Sequence, residues 1–272
     1  MLRIGWFSTA RGDSSKKLLD TVVSVIRSGG LDASIEFVFC SREPGESEKT
    51  DTFLAGVAQY GLPLVTISVR KFADSFRQQV GVKDGELPGW RLEYDRQVMA
   101  ALEGFKVDIC LLAGYMLIVG HEMCGRFNMV NLHPALPGGP KGTWQEVIWQ
   151  LMADRAPGSG VMMHLVTPQL DRGPVISFCS YPIRGGRFDE LWDALGDRTV
   201  DEVRQTEGEG NALFKMIRQS GFVRETPLII HTLRSFSQGS IKIDGSKKLT
   251  DSRGRPIPGY DLTAEIDHEI VR

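Results

Sequence analysis

The chain has 272 residues, 42% hydrophobic and 24% charged, which is ordinary for a globular protein and enough for a sizeable buried core. Its formal net charge of −2 excludes the broad basic footprint of a nucleic-acid binder, while a small anionic substrate needs only local charge. Apolar runs such as 109–116 are too short to cross a bilayer and the first residues lack a signal peptide's pattern, so a cytoplasmic protein with no membrane partner is expected.

In chain order, short apolar runs at 2–7, 35–40, 64–69, 108–113 and 129–132 predict buried strands. Between them, residues 14–27, 52–60 and 91–102 carry apolar side chains at helical spacing. Strand and helix in steady alternation predict an α/β fold, a mostly parallel twisted sheet flanked by helices in the Rossmann-like manner. Ligands of such sheets bind beyond the carboxyl ends of the strands, which directs attention to the loops after Phe7, Ala113 and Leu132. The polar stretch 74–89 reads as a surface insertion. Two further strands, 161–166 and 175–181, make an antiparallel turn around a loop holding Asp171. Beyond Arg184 the pattern changes to helices at 188–195 and 200–219, then a separate segment at 227–236. Residues 240–258 read as a polar hairpin with turns at Asp244-Gly245 and Arg253-Gly254. The expected organisation is an α/β core over 1–183, a C-terminal helical extension over 184–238, and a β-hairpin and tail over 239–272, all in one compact unit. Cys40, Cys110, Cys124 and Cys179 lie far apart, three of them in apolar strand-like runs, and read as reduced, packed thiols with neither disulfide nor zinc spacing.

The densest chemical signal is Asn131-Leu132-His133-Pro134 at the end of a predicted strand. Alternation puts Asn131 and His133 on one side, where an amide donor and an imidazole together can hold a developing oxyanion. Pro134 ends the strand, and Ala135-Leu136-Pro137-Gly138-Gly139-Pro140-Lys141-Gly142 reads as an irregular wall or lid before a helix starting near Thr143-Trp144. The second signal is Leu170-Asp171-Arg172-Gly173-Pro174-Val175, a tight loop that delivers one carboxylate between two strands. A carboxylate beside an imidazole favours the charged ring, which suits proton transfer near neutral pH.

These segments resemble the glycinamide ribonucleotide formyltransferase family, whose pattern is Asn-x-His-Pro-Ser followed downstream by Leu-Asp-x-Gly-Pro-Val. Leu112-Ala113-Gly114-Tyr115-Met116, Gly160-Val161-Met162-Met163-His164 and the tail around Pro256-Ile257-Pro258-Gly259-Tyr260 are similar to the family as well. The resemblance covers most of the chain apart from 74–89 and 184–222. It implies a formyltransferase-like fold and an enzyme that moves the formyl group of 10-formyltetrahydrofolate to an amine, in purine biosynthesis if the acceptor is glycinamide ribonucleotide. It further implies that Asn131, His133 and Asp171 are catalytic, with Asn131 and protonated His133 stabilising a tetrahedral oxygen and Asp171 positioning the histidine or a relay water. Met116, Leu117, Ile118 and Val119, with Val166, Thr167 and Leu170, would form the folate site, and Gly12, Asp13 and Ser14 would bind the acceptor. No metal is expected, the partners are small molecules, and the chain is expected to be a monomer or a homodimer.

The sequence departs from that pattern on the acceptor side. Ala10-Arg11-Gly12-Asp13-Ser14 stands where the family has Gly-Asn-Gly-Ser-Asn, and Asp13 reads either as part of an anion cradle or as a cap on the helix behind it. Phe222 stands where the family has an acidic residue, with Glu225 as a substitute only in another helical register, and Leu136-Pro137-Gly138-Gly139-Pro140 replaces a leucine-rich and basic-aromatic stretch. An amino sugar or other small amine is therefore the next acceptor. Hydrolysis of 10-formyltetrahydrofolate and a non-enzymatic folate- or nucleotide-binding role complete the alternatives. Among single residues, His164 reads equally as a pocket group or as structure, and His121, His231 and His268 as structural or exposed. Trp144, Trp149 and Met152 read as core packing, and Lys141 and Arg172 as solvated charges within reach of a substrate anion.

Overall fold

A strand flanked by two neighbours and covered on both faces must be apolar throughout, and β1 (Leu2–Ser8) is nearly so, with Trp6 and Phe7 fully out of solvent. The computed structural model describes residues 1–76 and 89–271, so most of the expected insertion at 74–89 lies outside the described residues. After β1 come α1 (Asp13–Arg27), β2 (Ala33–Cys40), α2 (Glu48–Gln59), β3 (Leu64–Thr66), α3 (Val69–Phe76) and α4 (Gly89–Ala101). They are followed by β4 (Ile109–Leu112), α5 (His121–Arg126), β5 (Met129–His133), α6 (Trp144–Ala153), β6 (Gly158–Leu165) and β7 (Val175–Pro182). The last third holds α7 (Arg187–Leu195), α8 (Val200–Thr206), α9 (Ala212–Ser237), β8 (Lys242–Ile243), β9 (Leu249–Thr250), β10 (Tyr260–Asp261) and α10 (Thr263–Ile270).

The main sheet has eight strands in the order β10-β7-β6-β5-β4-β1-β2-β3. From β3 to β5 every pairing is parallel; β6 then runs antiparallel to both β5 and β7, and β10 joins β7 in parallel. Ile4 and Trp6 point to one face, where Leu19 and Val22 of α1 and Leu228 and Leu233 of α9 cover them. Phe7, Phe39, Leu112 and Met129 point to the other, against Tyr94 and Val98 of α4 and Met123 of α5. A third cluster joins Trp149 of α6 to Trp192 of α7 and Phe214 of α9 at one end of the sheet, so Trp149 and Met152 are core residues and Trp144 packs at its edge. No helix among the described residues is long and apolar enough to span a membrane. The four cysteines are free and buried, and burial pushes the Cys40 thiol up to about 11.

Several boundaries differ from the sequence-based expectation, each for a local reason. The strand expected at 64–69 stops at Thr66, because the Ser68 hydroxyl accepts the Lys71 N–H (3.1 Å) and starts α3. The helix expected at 200–219 breaks after Thr206, where Gly208 takes a positive φ of 55° and Asn211 caps a new helix by accepting the Phe214 N–H (3.1 Å). That new helix, α9, runs straight through Pro227, which was expected to open a separate segment. Proline removes one helical hydrogen bond. Here Leu228, Ile229, Ile230 and Leu233, all buried immediately after it, hold the helix on the sheet. The tail does form a hairpin of β8 and β9, but it then adds β10 to the main sheet and ends in α10, neither of which was expected.

Candidate active site

Two strands and one loop assemble the site at the seam where the sheet turns from parallel to antiparallel. Asn131 and His133 share a face of β5, and antiparallel β6 sets His164 directly opposite Asn131. The β6–β7 loop then folds Asp171 back over both imidazoles. Asp171 Oδ2 lies 3.7 Å from His133 Nδ1 and Oδ1 lies 3.6 Å from His164 Nε2, with all three side chains at least nine-tenths buried. These separations are long for direct hydrogen bonds.

The loop's shape explains its composition. Asp171 sits at φ 52°, a left-handed conformation that aspartate tolerates better than most residues. Gly173 is obligatory, because a Cβ there would lie 1.6 Å from the Leu165 carbonyl oxygen.

Hydrogen bonding orders the polar groups. A carbonyl only accepts, so His164 Nδ1, 3.1 Å from the Leu165 oxygen, carries the proton there. Burial pushes the His164 pKa down, with the Leu165 contact and Asp171 opposing, which favours a neutral ring with Nε2 as acceptor. Nε2 takes one N–H of the Asn131 amide at 3.3 Å, leaving the second amide N–H for a ligand. His164 thus belongs to the site and orients Asn131; its placement opposite Asn131 depended on strand pairing. His133 Nε2 donates to the Pro140 carbonyl at 2.8 Å, so the 135–142 loop is seated on the imidazole.

The residues expected at the folate site follow β4 and β6. Met116, Ile118 and Leu170 are large apolar side chains exposed by 55%, 46% and 52%. Leu117 and Val166 are half-buried, Thr167 closes the loop by donating to the Gln169 carbonyl (3.1 Å), and Val119 turns inward among core residues. Arg91, which sequence reading passed over, steadies this wall: its guanidinium donates to Asp95 (2.9 Å) and to the Ile118 carbonyl (2.6 Å), while Asp95 accepts the Gly120 N–H (2.7 Å). An arginine and an aspartate one turn apart on α4 were its only sequence signal.

On the acceptor side, Gly12 and not Asp13 is the N-cap of α1, with no side-chain capping bond. Asp13 lies in the first turn, where a negative charge is favoured, and both its oxygens meet Lys49 Nζ at 2.7 and 2.8 Å. Met116 N–H donates to Thr9 Oγ1 (2.9 Å), which ties the segment ahead of α1 to the 116–119 segment. Glu225 is paired with Arg218, whose guanidinium lies 4.9 Å from the Phe222 ring centroid and 4.8 Å from that of Trp144. His231 pairs with Glu269 far along the tail, and His121 lies beside Glu122.

A cavity of about 460 Å³ opens between the 138–141 loop and β6–β7, with His133, Lys141, Met162, Asp171 and Arg172 in its walls. A second one of the same size lies at the amino ends of β1 and β4, near Leu2, Asp108 and Lys242, and there the one carboxylate is already held by Arg3. No group of three or more His, Cys, Asp or Glu among the described residues is arranged to hold a metal.

Comparison with known proteins gives a consistent picture. The family "Formyl transferase" matches residues 15–198. The phosphoribosylglycinamide formyltransferase of Escherichia coli (strain K12) is 24% identical over 172 residues, 62% of this chain and 68% of that protein. Its namesake from Haemophilus influenzae is 22% identical over 245 residues, 89% of this chain and 92% of that one. Among solved structures, phosphoribosylglycinamide formyltransferase from Coxiella burnetii superimposes with a TM-score of 0.64 at 17% identity, covering 96% of this chain and 98% of its own. Formyltetrahydrofolate deformylase from Burkholderia mallei does so with 0.57 at 16%, covering 92% of this chain and 69% of its own. At such identities the structural likeness establishes the fold: a mostly parallel sheet between helices.

Proposed function

The chain belongs to the formyl transferase family, and on that footing we propose that it moves the formyl group of 10-formyltetrahydrofolate to an amine, with glycinamide ribonucleotide the leading acceptor. The observation that carries this reading is the convergence of Asn131, His133 and Asp171 from two separate segments; Met116, Ile118 and Leu170, on the segments after β4 and β6, are exposed apolar side chains. A flat aromatic ligand gains from covering such side chains. The folate supplies the formyl carbon and a leaving nitrogen. Asn131, anchored on His164 through one N–H, offers the other to the carbonyl oxygen as it gains charge. His133 Nε2, once released from the Pro140 carbonyl, is the second donor, and Asp171 at the opposite ring nitrogen holds the imidazole's orientation. These side chains supply both charge stabilisation and proton movement.

Two features weigh toward an amine other than glycinamide ribonucleotide within the same chemistry, such as an amino sugar. Asp13 brings a carboxylate, ion-paired to Lys49, to the start of α1, and Phe222 presents a ring under Arg218 where an acidic side chain was expected. Hydrolysis is the rival outcome, in keeping with the deformylase among the structural relatives. Tetrahydrofolate release, measured with and without glycinamide ribonucleotide, decides. Release dependent on the ribonucleotide supports the leading acceptor, release indifferent to it removes that acceptor, and release without any amine assigns the hydrolase.

A further inference from the structure

Lys141 and Arg172 come from different loops, one ahead of α6 and one beside Asp171, yet both stand in the wall of the His133 cavity. Both are exposed, and neither is in a salt bridge among the described residues. The one acid in the cavity, Asp171, is buried and faces two imidazoles and the Gly142 N–H, so the mouth of the cavity keeps an excess of positive charge. Two cations on the wall of one concave site raise the local positive potential and match the oxygens of a carboxylate or phosphate. None of the residues expected to hold folate lines this cavity, and neither do Gly12, Asp13 or Ser14. At about 460 Å³ it is of a size for a small metabolite, and it includes His133 itself.

We propose that Lys141 and Arg172 form an anion subsite for the amine acceptor, so that the acceptor carries a carboxylate or phosphate and docks it at the mouth of the His133 cavity. The inference rests on the formyl-transfer reading and sharpens it, moving the acceptor's anion away from the start of α1, where the Asp13 carboxylate would oppose it. The attacking amine then lies deeper, beside His133 and Asp171, and amines that carry no anionic group gain nothing from the two cations and bind more weakly.

The test is a titration of full-length protein carrying ¹⁵N-labelled histidine with inorganic phosphate, at fixed pH and with chloride as the ionic-strength control. The His133 ring signal, identified from H133Q, should shift saturably in the wild type. In K141M/R172M the affinity should fall roughly tenfold or more, as expected for losing charge-assisted contacts. No saturable shift in the wild type, or an unchanged affinity in the double variant, overturns the subsite. With an active acceptor in hand, K141M/R172M should raise the acceptor KM and leave the donor KM in place. A rise in donor KM alone overturns the assignment to the acceptor. Absence of turnover with every amine sinks the formyl-transfer reading instead, and the phosphate titration, which needs no turnover, still reads the subsite.

Discussion

Where β1, β2 and β4 run side by side, nearly every side chain is apolar and sealed from solvent. At the β5–β6 seam, Asn131, His133 and His164 occupy strand positions of the kind that those parallel strands fill with phenylalanine, leucine or isoleucine, and Asp171 is folded in over them. The parallel half is built for cohesion. The seam spends burial on polar groups, which costs stability unless each finds a partner. The difference teaches where stability and chemistry are separable in this molecule, and substitutions can pull them apart.

The largest effect should come from H133N. Loss of a proton-transferring, oxyanion-stabilising group should lower turnover by about 10²- to 10⁴-fold, read as tetrahydrofolate release, with the urea midpoint close to wild type. A comparable fall in stability with turnover intact would break the contrast. Next, F7A in the parallel half should do the reverse. A fully buried phenylalanine cut to alanine should cost about 3–5 kcal/mol in urea unfolding, with little change in activity per folded molecule.

G173A tests the seam without touching a reacting group. With no room for a Cβ against the Leu165 carbonyl, the Asp171 loop must shift, and a displacement of about 1 Å should cost on the order of 100-fold in turnover. Rescue of rate without any such shift would show the loop to be less rigid than its geometry requires.

The smallest effect is a pH slope. Burial lowers the His164 pKa below the usual 6.5 of histidine in the native state, so the unfolded chain binds the proton more readily. Its contribution to stability is complete above about pH 6.5 and is lost as pH falls below that value. H164N should flatten this acid-side decline in urea midpoints measured between about pH 7.5 and 5. An unchanged slope would place the titrating group elsewhere.

Much of this was legible in the sequence because two-face burial writes itself as unbroken apolar runs, and Asn131, His133 and Asp171 stood out by residue type and spacing. What escaped depends on pairing across distance. The partnership of Asp13 with Lys49 joins residues from α1 and α2, and the role of His164 follows only from antiparallel register. Two-residue β10 is too short to show a period, and α9 crosses Pro227 because buried contacts after it outweigh the lost hydrogen bond. The Pro140 carbonyl over His133 is a backbone contact and leaves no side-chain signature.

That last contact has a consequence for direction. An oxygen acceptor holds its place only while the nitrogen facing it keeps a hydrogen, so a seated 135–142 loop reserves one end of the imidazole. In the reaction proposed above, protons come and go at the opposite end, toward Asp171, while the loop is seated, and lifting the loop would turn His133 from a one-door into a two-door relay.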